Sequence, residues 1–187
     1  MGEALCRLNG NTVQGAADAG VIVGEIDEAV ISGGVLQGNG FGLRAVNGGR
    51  AKAFDLTIQN NAFTGIEVRT GSLVNTNATI TNNPGGGVFV THNSTLVCGG
   101  CSITGNAVEG VILRRDSTAR FFGNYAVTGN TGGAGIELSE LSSVYFANAG
   151  TVTGNTPGPD VFCGPSFTTA RNATTNLGGG HTNCKEP

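Results

Sequence analysis

The sequence predicts an all-β solenoid, a single-stranded parallel β-helix of about seven rungs of 22–25 residues, each rung holding three short strands. Three ladders in one register carry this reading. Asparagine recurs at Asn39, Asn61, Asn83, Asn106, Asn130 and Asn155, preceded each time by Gly or Asn: Gly38, Asn60, Asn82, Gly105, Gly129 and Gly154. Glycine recurs at Gly20, Gly42, Gly65, Gly87, Gly110 and Gly135, each before an alternating apolar stretch such as "IEV" or "VIL". Serine follows four of these glycines by seven residues, at Ser72, Ser94, Ser117 and Ser142.

Each element follows from local chemistry. Only Gly and Asn enter the left-handed backbone region cheaply, so the residue before each ladder asparagine marks a bend. The apolar stretches are too short for helices and alternate with period two, which is the strand signal. No single rung can bury its apolar side alone, so rungs must stack, about 4.8 Å apart. Alternation then sorts the side chains. Ile58, Ile80, Ile103, Val127 and Val152 point inward from one strand, and Ile66/Val68, Val88/Val90, Val111/Leu113 and Ile136/Leu138 from the next. By this reading residues 1–19 are a partial coil with a long loop, 20–163 the rungs and 164–187 a capping tail.

Composition excludes some partners. The chain carries 33 Gly, no Trp and a net charge of -3, with Lys52 and Lys185 its only lysines and no basic run, so neither nucleic acid nor an anionic membrane is indicated. No apolar run approaches the roughly 18 residues of a membrane span, and "MGEALCRLNG" lacks the pattern of a signal peptide. "RLNGN" at 7–11 already matches the bend phrase, so the chain is expected to begin in mid-coil, where an upstream segment or a second chain would cover the open rung.

Cysteines bear on location. Cys163 and Cys184 lie 21 residues apart, close to one coil, and stacked rungs would bring them within disulfide range. Cys98 and Cys101, both inward across two glycines, suit a disulfide-closed turn, with a redox or metal site as the alternative. Cys6 falls five before Asn11 as Cys101 falls five before Asn106, which suggests a free thiol stacked in the core. Two bridges imply a secreted, periplasmic or cell-surface protein.

"ITGN…GVIL" and "VTGN…GIEL" resemble the repeats of right-handed parallel β-helix proteins, the superfamily of pectate lyases and polygalacturonases, over about residues 20–163. A coil of more than 20 residues also favours the right-handed form over a left-handed hexapeptide helix. In the resembling enzymes substrate lies along an outer strand face. After the ladder glycine the first outward column reads Ile22, Arg44, Glu67, Phe89, Ile112, Glu137, Phe162, and the second reads Gly24, Val46, Arg69, Thr91, Arg114, Ser139, fringed by His92, Arg115, Asp116 and Glu140. Charge beside an aromatic suggests a sugar-binding groove of Arg44, Glu67, Phe89, His92 and Arg115, while the plainer reading of Arg44, Glu67, Arg69, Arg114 and Glu137 is a solvated sheet face with cross-rung charge pairs, each contributing little.

Catalysis has weaker support. Hydrolysis needs carboxylates about 5–9.5 Å apart, whereas Glu67 and Glu137 lie three rungs, about 14 Å, apart. The polygalacturonase signatures are missing, and although Arg69 or Arg114 resembles a lyase base, no acidic cluster accompanies it to hold calcium. The remaining weak candidates are Asp116, Glu137 and Glu140. No cofactor is expected, and calcium only for a lyase-like chemistry. Beside the inward aliphatics of the bend phrase stand Thr57/Gln59, Thr79/Thr81, Ser102/Thr104, Ala126/Thr128 and Thr151/Thr153, a flat array that resembles the ice-binding face of solenoid antifreeze proteins. The expectation is a non-catalytic surface for polysaccharide or another extracellular partner. The alternatives are a lyase, hydrolase or epimerase with atypical residues, and an ice-binding or purely structural solenoid.

Overall fold

The computed structural model describes residues 4–147, 150–164, 169–172 and 184. The chain coils into three parallel sheets. The first has eight strands: Leu5–Asn9, Glu28–Ser32, Arg50–Phe54, Leu73–Thr76, Thr95–Gly99, Thr118–Phe122, Ser143–Phe146 and Thr169–Asn172. The second has seven: Thr12–Gln14, Val35–Gln37, Thr57–Gln59, Thr79–Thr81, Ser102–Thr104, Ala126–Thr128 and Thr151–Thr153. The third also has seven: Ala19–Val23, Phe41–Ala45, Ile66–Arg69, Val88–Thr91, Val111–Leu113, Ile136–Leu138 and Val161–Cys163. Every pairing joins one rung to the next, so the sheets are continuous along the axis.

The inward aliphatics are where alternation puts them. Ile58, Ile80, Ile103, Val127 and Val152 are fully buried, as are Ile66, Val68, Val90, Val111 and Leu113. Bends fall at the expected residues: Gly38, Asn60, Asn82, Gly105, Gly129 and Gly154 all have positive φ. The first sheet supplies a mixed third wall of Ala29, Ala51, Val74, Leu96, Ala119 and Val144, widened in two rungs by Phe121 and Phe146, which pack with Tyr125 at centroid distances of 5.2–5.8 Å.

The ladder asparagines do more than mark bends. All six are buried, and each side-chain oxygen accepts hydrogen bonds from the rung before. Asn106, for example, accepts from the backbone N–H of Asn83 at 3.1 Å and from its Nδ2 at 3.0 Å, and donates to Asn130 Oδ1 at 2.9 Å and the Ile80 carbonyl at 3.3 Å. The serines form a second buried ladder, in which the hydroxyls of Ser94, Ser117 and Ser142 accept from the N–H of the serine one rung earlier. Stacking thus satisfies polar groups that no isolated rung could satisfy.

The first rung departs from expectation. Thr12 pairs with Val35 and Gln14 with Gln37, so Gly15 and Ala16 stand where later rungs have Gly38 and Asn39. The N–H of Ala16 accordingly donates to Asn39 Oδ1 at 2.9 Å. Asn11 is therefore not a ladder member, and no long first loop is needed: residues before Gly20 carry two strands in full register with their neighbours. The same shift moves Cys6. It pairs with Ala29, in an inward column, yet it is a free and exposed thiol because no described rung lies above it.

At the other end the strand Thr169–Asn172 continues the first sheet beyond residue 163, and most of 164–187, including His181 and Lys185, lies outside the described residues. Both expected disulfides are present. Cys98 and Cys101, fully buried with Cα atoms 5.7 Å apart, close the turn between the first and second sheets. Cys163 and Cys184 have Cα atoms 4.9 Å apart, one rung spacing.

Candidate functional site

Each sheet turns one outer face to solvent, and the three faces differ in chemistry. On the third sheet the strand register reproduces the expected order of the first column: Ile22, Arg44, Glu67, Phe89, Ile112, Glu137, Phe162. Its charges close on one another. The Arg44 guanidinium donates to Glu67 at 2.7 Å and to Asp18 at 2.6 Å, and lies 4.6 Å from the Phe41 ring centroid. Burial works against the Arg44 charge, but the hydrogen bonds and charges of Glu67 and Asp18 outweigh it and raise its pKa above the usual arginine value. Glu67, almost wholly covered, also faces Arg69 at 3.8 Å. Arg114 holds Glu137 at 3.0 Å and Arg115 holds Glu140 at 3.4 Å.

The fringe residues share one corner. His92–Asn93, Arg115–Asp116 and Glu140–Leu141 are successive pairs of left-handed residues just before the buried serines. Arg115 Nη1 contacts His92 Nε2, and since a guanidinium only donates, Nε2 accepts and Nδ1 carries the proton toward Thr91 Oγ1 at 3.1 Å. Thr91 itself, expected outward, is buried beneath this contact. Of Arg69, Arg114, Asp116, Glu137 and Glu140, only Arg114 and Glu137 form an ion pair with each other among the described residues, while Arg69 faces Glu67 and Glu140 faces Arg115. Glu67 and Glu137 are separated by Phe89 and Ile112, three rung steps or about 14 Å. Among the described residues no three His, Cys, Asp or Glu side chains converge to hold a metal ion.

The second sheet bears no charge. Its outer columns run Thr12, Val35, Thr57, Thr79, Ser102, Ala126, Thr151 and Gln14, Gln37, Gln59, Thr81, Thr104, Thr128, Thr153. The glutamines bond to each other at 3.1 and 3.0 Å. The hydroxyls of Thr79, Thr81, Ser102, Thr104, Thr128, Thr151 and Thr153 make no side-chain hydrogen bond among the described residues, and stand as a lattice of unengaged groups.

The first sheet, whose outer face the sequence columns did not cover, holds a depression of about 370 Å³ lined by Thr95, Thr118, Ala119, Arg120, Ser143, Val144 and Tyr145. It forms because the short side chains of Thr95, Thr118 and Ser143 make one column while Arg120 and Tyr145 stand tall in the next. The Arg120 guanidinium lies 5.9 Å from the Phe122 ring and 5.8 Å from the Tyr145 ring, and the two rings are 36% and 43% exposed. Further along the same face Lys52 donates to Glu28 at 2.6 Å. That hydrogen bond, then the Lys52 charge, with smaller help from Arg50 and Arg7, outweighs the opposing effect of burial and lowers the Glu28 pKa.

Comparison with curated proteins and with solved structures returns no match. The family model described as the right-handed beta helix region matches residues 2–175, which takes in the asparagine, glycine and serine ladders and all three sheets, and the chain belongs to that family.

Proposed function

We propose that the chain is an exported β-helix module that binds polysaccharide on its outer surface without turning it over. The observation that carries this is the depression on the first sheet, where exposed Tyr145 and Phe122 flank Arg120 beside a column of hydroxyls. A sugar ring has an apolar C–H face and a polar rim. An exposed aromatic ring suits the first, and a guanidinium with neighbouring hydroxyls suits the second. The two disulfides support export. A non-catalytic role is supported by the ion pairs of Glu67, Glu137 and Glu140 with Arg44, Arg114 and Arg115, and by the roughly 14 Å between Glu67 and Glu137, too far for paired carboxylates acting on one bond.

Affinity electrophoresis against a panel of neutral and acidic polysaccharides tests the reading. Tyr145→Ala and Arg120→Ala should each weaken binding about tenfold, the loss of roughly 1.4 kcal/mol, while Arg114→Ala on the third sheet should leave it unchanged. Equal binding by all variants would remove the site from the first sheet. Release of product from any bound polymer would replace the binding module with an enzyme.

The second sheet favours a second reading, ice binding. β-branched threonines hold few rotamers, and from Thr79–Thr81 to Thr151–Thr153 they repeat at about 4.8 Å along the axis and about 6.5–7 Å across it, interrupted by Ala126 but by no long side chain or charge, the glutamines Gln14, Gln37 and Gln59 lying on the three strands before. Wild-type protein should then restrain ice recrystallisation, and Thr104→Tyr with Thr128→Tyr should abolish the effect. Inhibition that survives both changes would clear the second sheet of this role.

A further inference from the structure

Between the third-sheet strand Val88–Thr91 and the first-sheet strand Thr95–Gly99 the chain turns a corner through two left-handed residues, His92 and Asn93. Asn93, Ser94 and Thr95 together read Asn-x-Thr with no proline between, the acceptor pattern for an N-linked glycan. Stacking requires only the middle residue. Ser94 belongs to the buried serine ladder, where its N–H donates to Ser117 Oγ at 3.3 Å. The place of Asn93 is held by Gly71 one rung earlier and by Asp116 one rung later, so this bend accepts asparagine without demanding it. The place of Thr95 is held by Leu73 and by Thr118. The coil thus accounts for Ser94 and leaves its two neighbours unexplained.

The same pattern occurs twice more, at Asn77–Ala78–Thr79 and at Asn172, whose triplet runs beyond the described residues. The two triplets that the structure describes are not equivalent. Asn77 is half-buried and its carboxamide is engaged at both ends: Oδ1 accepts from the Asp55 N–H at 2.6 Å, and Nδ2 donates to Asp55 Oδ1 at 3.0 Å. A chain modified at Asn77 would have to give up these bonds in order to coil. Asn93 is exposed, and its carboxamide makes no hydrogen bond among the described residues. Its backbone N–H donates to the Arg115 carbonyl at 2.9 Å, so the corner is fixed while the side chain is free. Bulk added to Asn93 Nδ2 costs the coil no contact.

We infer that Asn93 is an acceptor for an N-linked oligosaccharide, added from a lipid diphosphate donor as the chain is exported. In that step Asn93 Nδ2 forms a bond to the anomeric carbon of the sugar and the bond from that carbon to the diphosphate breaks. Lipid diphosphate leaves, and one amide proton is lost. The inference rests on the export reading above and adds to it a covalent product and a position. In a three-sheet coil this corner lies opposite the second sheet, so a glycan there leaves the threonine lattice bare and stands two residues from Thr95, on the rim of the first-sheet depression.

The full chain, directed by a cleavable signal into a eukaryotic secretory pathway, provides the test by intact mass and peptide mapping before and after peptide-N-glycosidase. Wild-type protein should lose the mass of a glycan on digestion, with Asn93 converted to aspartate in the mapped peptide. Asn93→Asp should abolish modification at this site without disturbing the bend, since Asp116 holds the equivalent left-handed position of the next rung at φ 58°. Thr95→Val should abolish it as well, whereas Thr95→Ser, which keeps the hydroxyl, should retain it. Asn77→Gln should leave the glycan mass unchanged.

An unmodified Asn93 in secreted protein that carries both disulfides would overturn the acceptor and leave the export reading intact. A glycan on Asn77 in place of Asn93 would do the same. Five free thiols in the recovered chain would overturn export and this inference with it. Circular dichroism of each variant checks that the rungs are intact, since Asn93 is exposed and Asn77 and Thr95 are half-buried, outside the core.

Discussion

Asn106→Ala should lower the stability of the whole solenoid by about 3–4 kcal/mol, read as a fall in the denaturant midpoint with little change in native far-ultraviolet dichroism. Truncation takes the acceptor from two buried donors of Asn83, the backbone N–H at 3.1 Å and Nδ2 at 3.0 Å. It also takes the donor from the Ile80 carbonyl and from Asn130 Oδ1. Leaving a buried polar group unmatched costs about 1–3 kcal/mol, and water cannot reach these groups because Asn83, Asn106 and Asn130 are all fully buried. Asn106→Asp should be no better, because it keeps the acceptor but sets a carboxylate oxygen against two oxygens that expect a donor. A loss below about 1 kcal/mol in Asn106→Ala would mean that the ladder contributes shape and not energy.

The same exchange in the opposite sense should be nearly silent at the end of the ladder. Asp160 accepts from the backbone N–H of Asn155 at 3.3 Å and from its Nδ2 at 3.1 Å. These bonds ask only for an oxygen, which asparagine retains. The last position of a chain of donors and acceptors needs no donor, and a carboxylate has none to strand.

How much of this was legible follows from the length scale of each feature. Val152, Thr151 and Thr153 could be assigned inward and outward because period two acts within three residues. The bends before the ladder asparagines were legible because left-handed backbone favours Gly and Asn, whereas the left-handed pairs Arg115–Asp116 and Glu140–Leu141 carry no such signal. The inward role of Asn39 to Asn155 was not. A polar side chain in a core violates the ordinary expectation for a single rung, and becomes favourable only through bonds to residues 22–25 positions away. Asn11 misled because "NGN" copies the phrase of the bend, while the register places Asn11 beside Gly34, one bend and five residues before the ladder position at Ala16.

The outer face of the first sheet was not legible, for a different reason. Arg7, Arg50, Lys52 and Arg120 are spread over more than half the chain, so no window along the sequence contains a basic run. Stacking at one position per coil converts that dispersion into a column. On the third sheet the solvated face of cross-rung charge pairs was legible column by column, and adjacent rungs bring Arg44 to 2.7 Å from Glu67 and Arg114 to 3.0 Å from Glu137. Cross-rung pairs of exposed charges contribute little stability each, yet they decide which described arginines stand in an ion pair and which do not.

The glycine ladder yields the second large effect. At Gly110 an added Cβ would lie 2.6 Å from the carbonyl oxygen of Gly135, 2.6 Å from Val127 Cγ1 and 2.7 Å from Asn130 Nδ2. Two of these groups belong to buried side chains and the third to the backbone of the next rung, so none can swing aside. The ladder glycine is empty because the asparagine of the following rung fills the space. Asp160 shows the converse: it occupies the glycine slot of the last described third-sheet strand, and its own side chain bends back onto Asn155 where a further asparagine would otherwise sit. Gly110→Ala should therefore force adjacent rungs apart locally and cost about 3 kcal/mol, the upper range for overpacking a rigid core. Gly129→Ala provides the contrast, since its Cβ would meet nothing within 4 Å and only its φ of +64° is unfavourable, a strain of about 1 kcal/mol. Gly129→Asn should cost less still, because Asn60 and Asn82 hold the same bend at φ 54° and 55°. Urea midpoints in the order Gly129→Asn, Gly129→Ala, Gly110→Ala, from most to least stable, would support this division of labour, and Gly110→Ala as stable as Gly129→Ala would refute it.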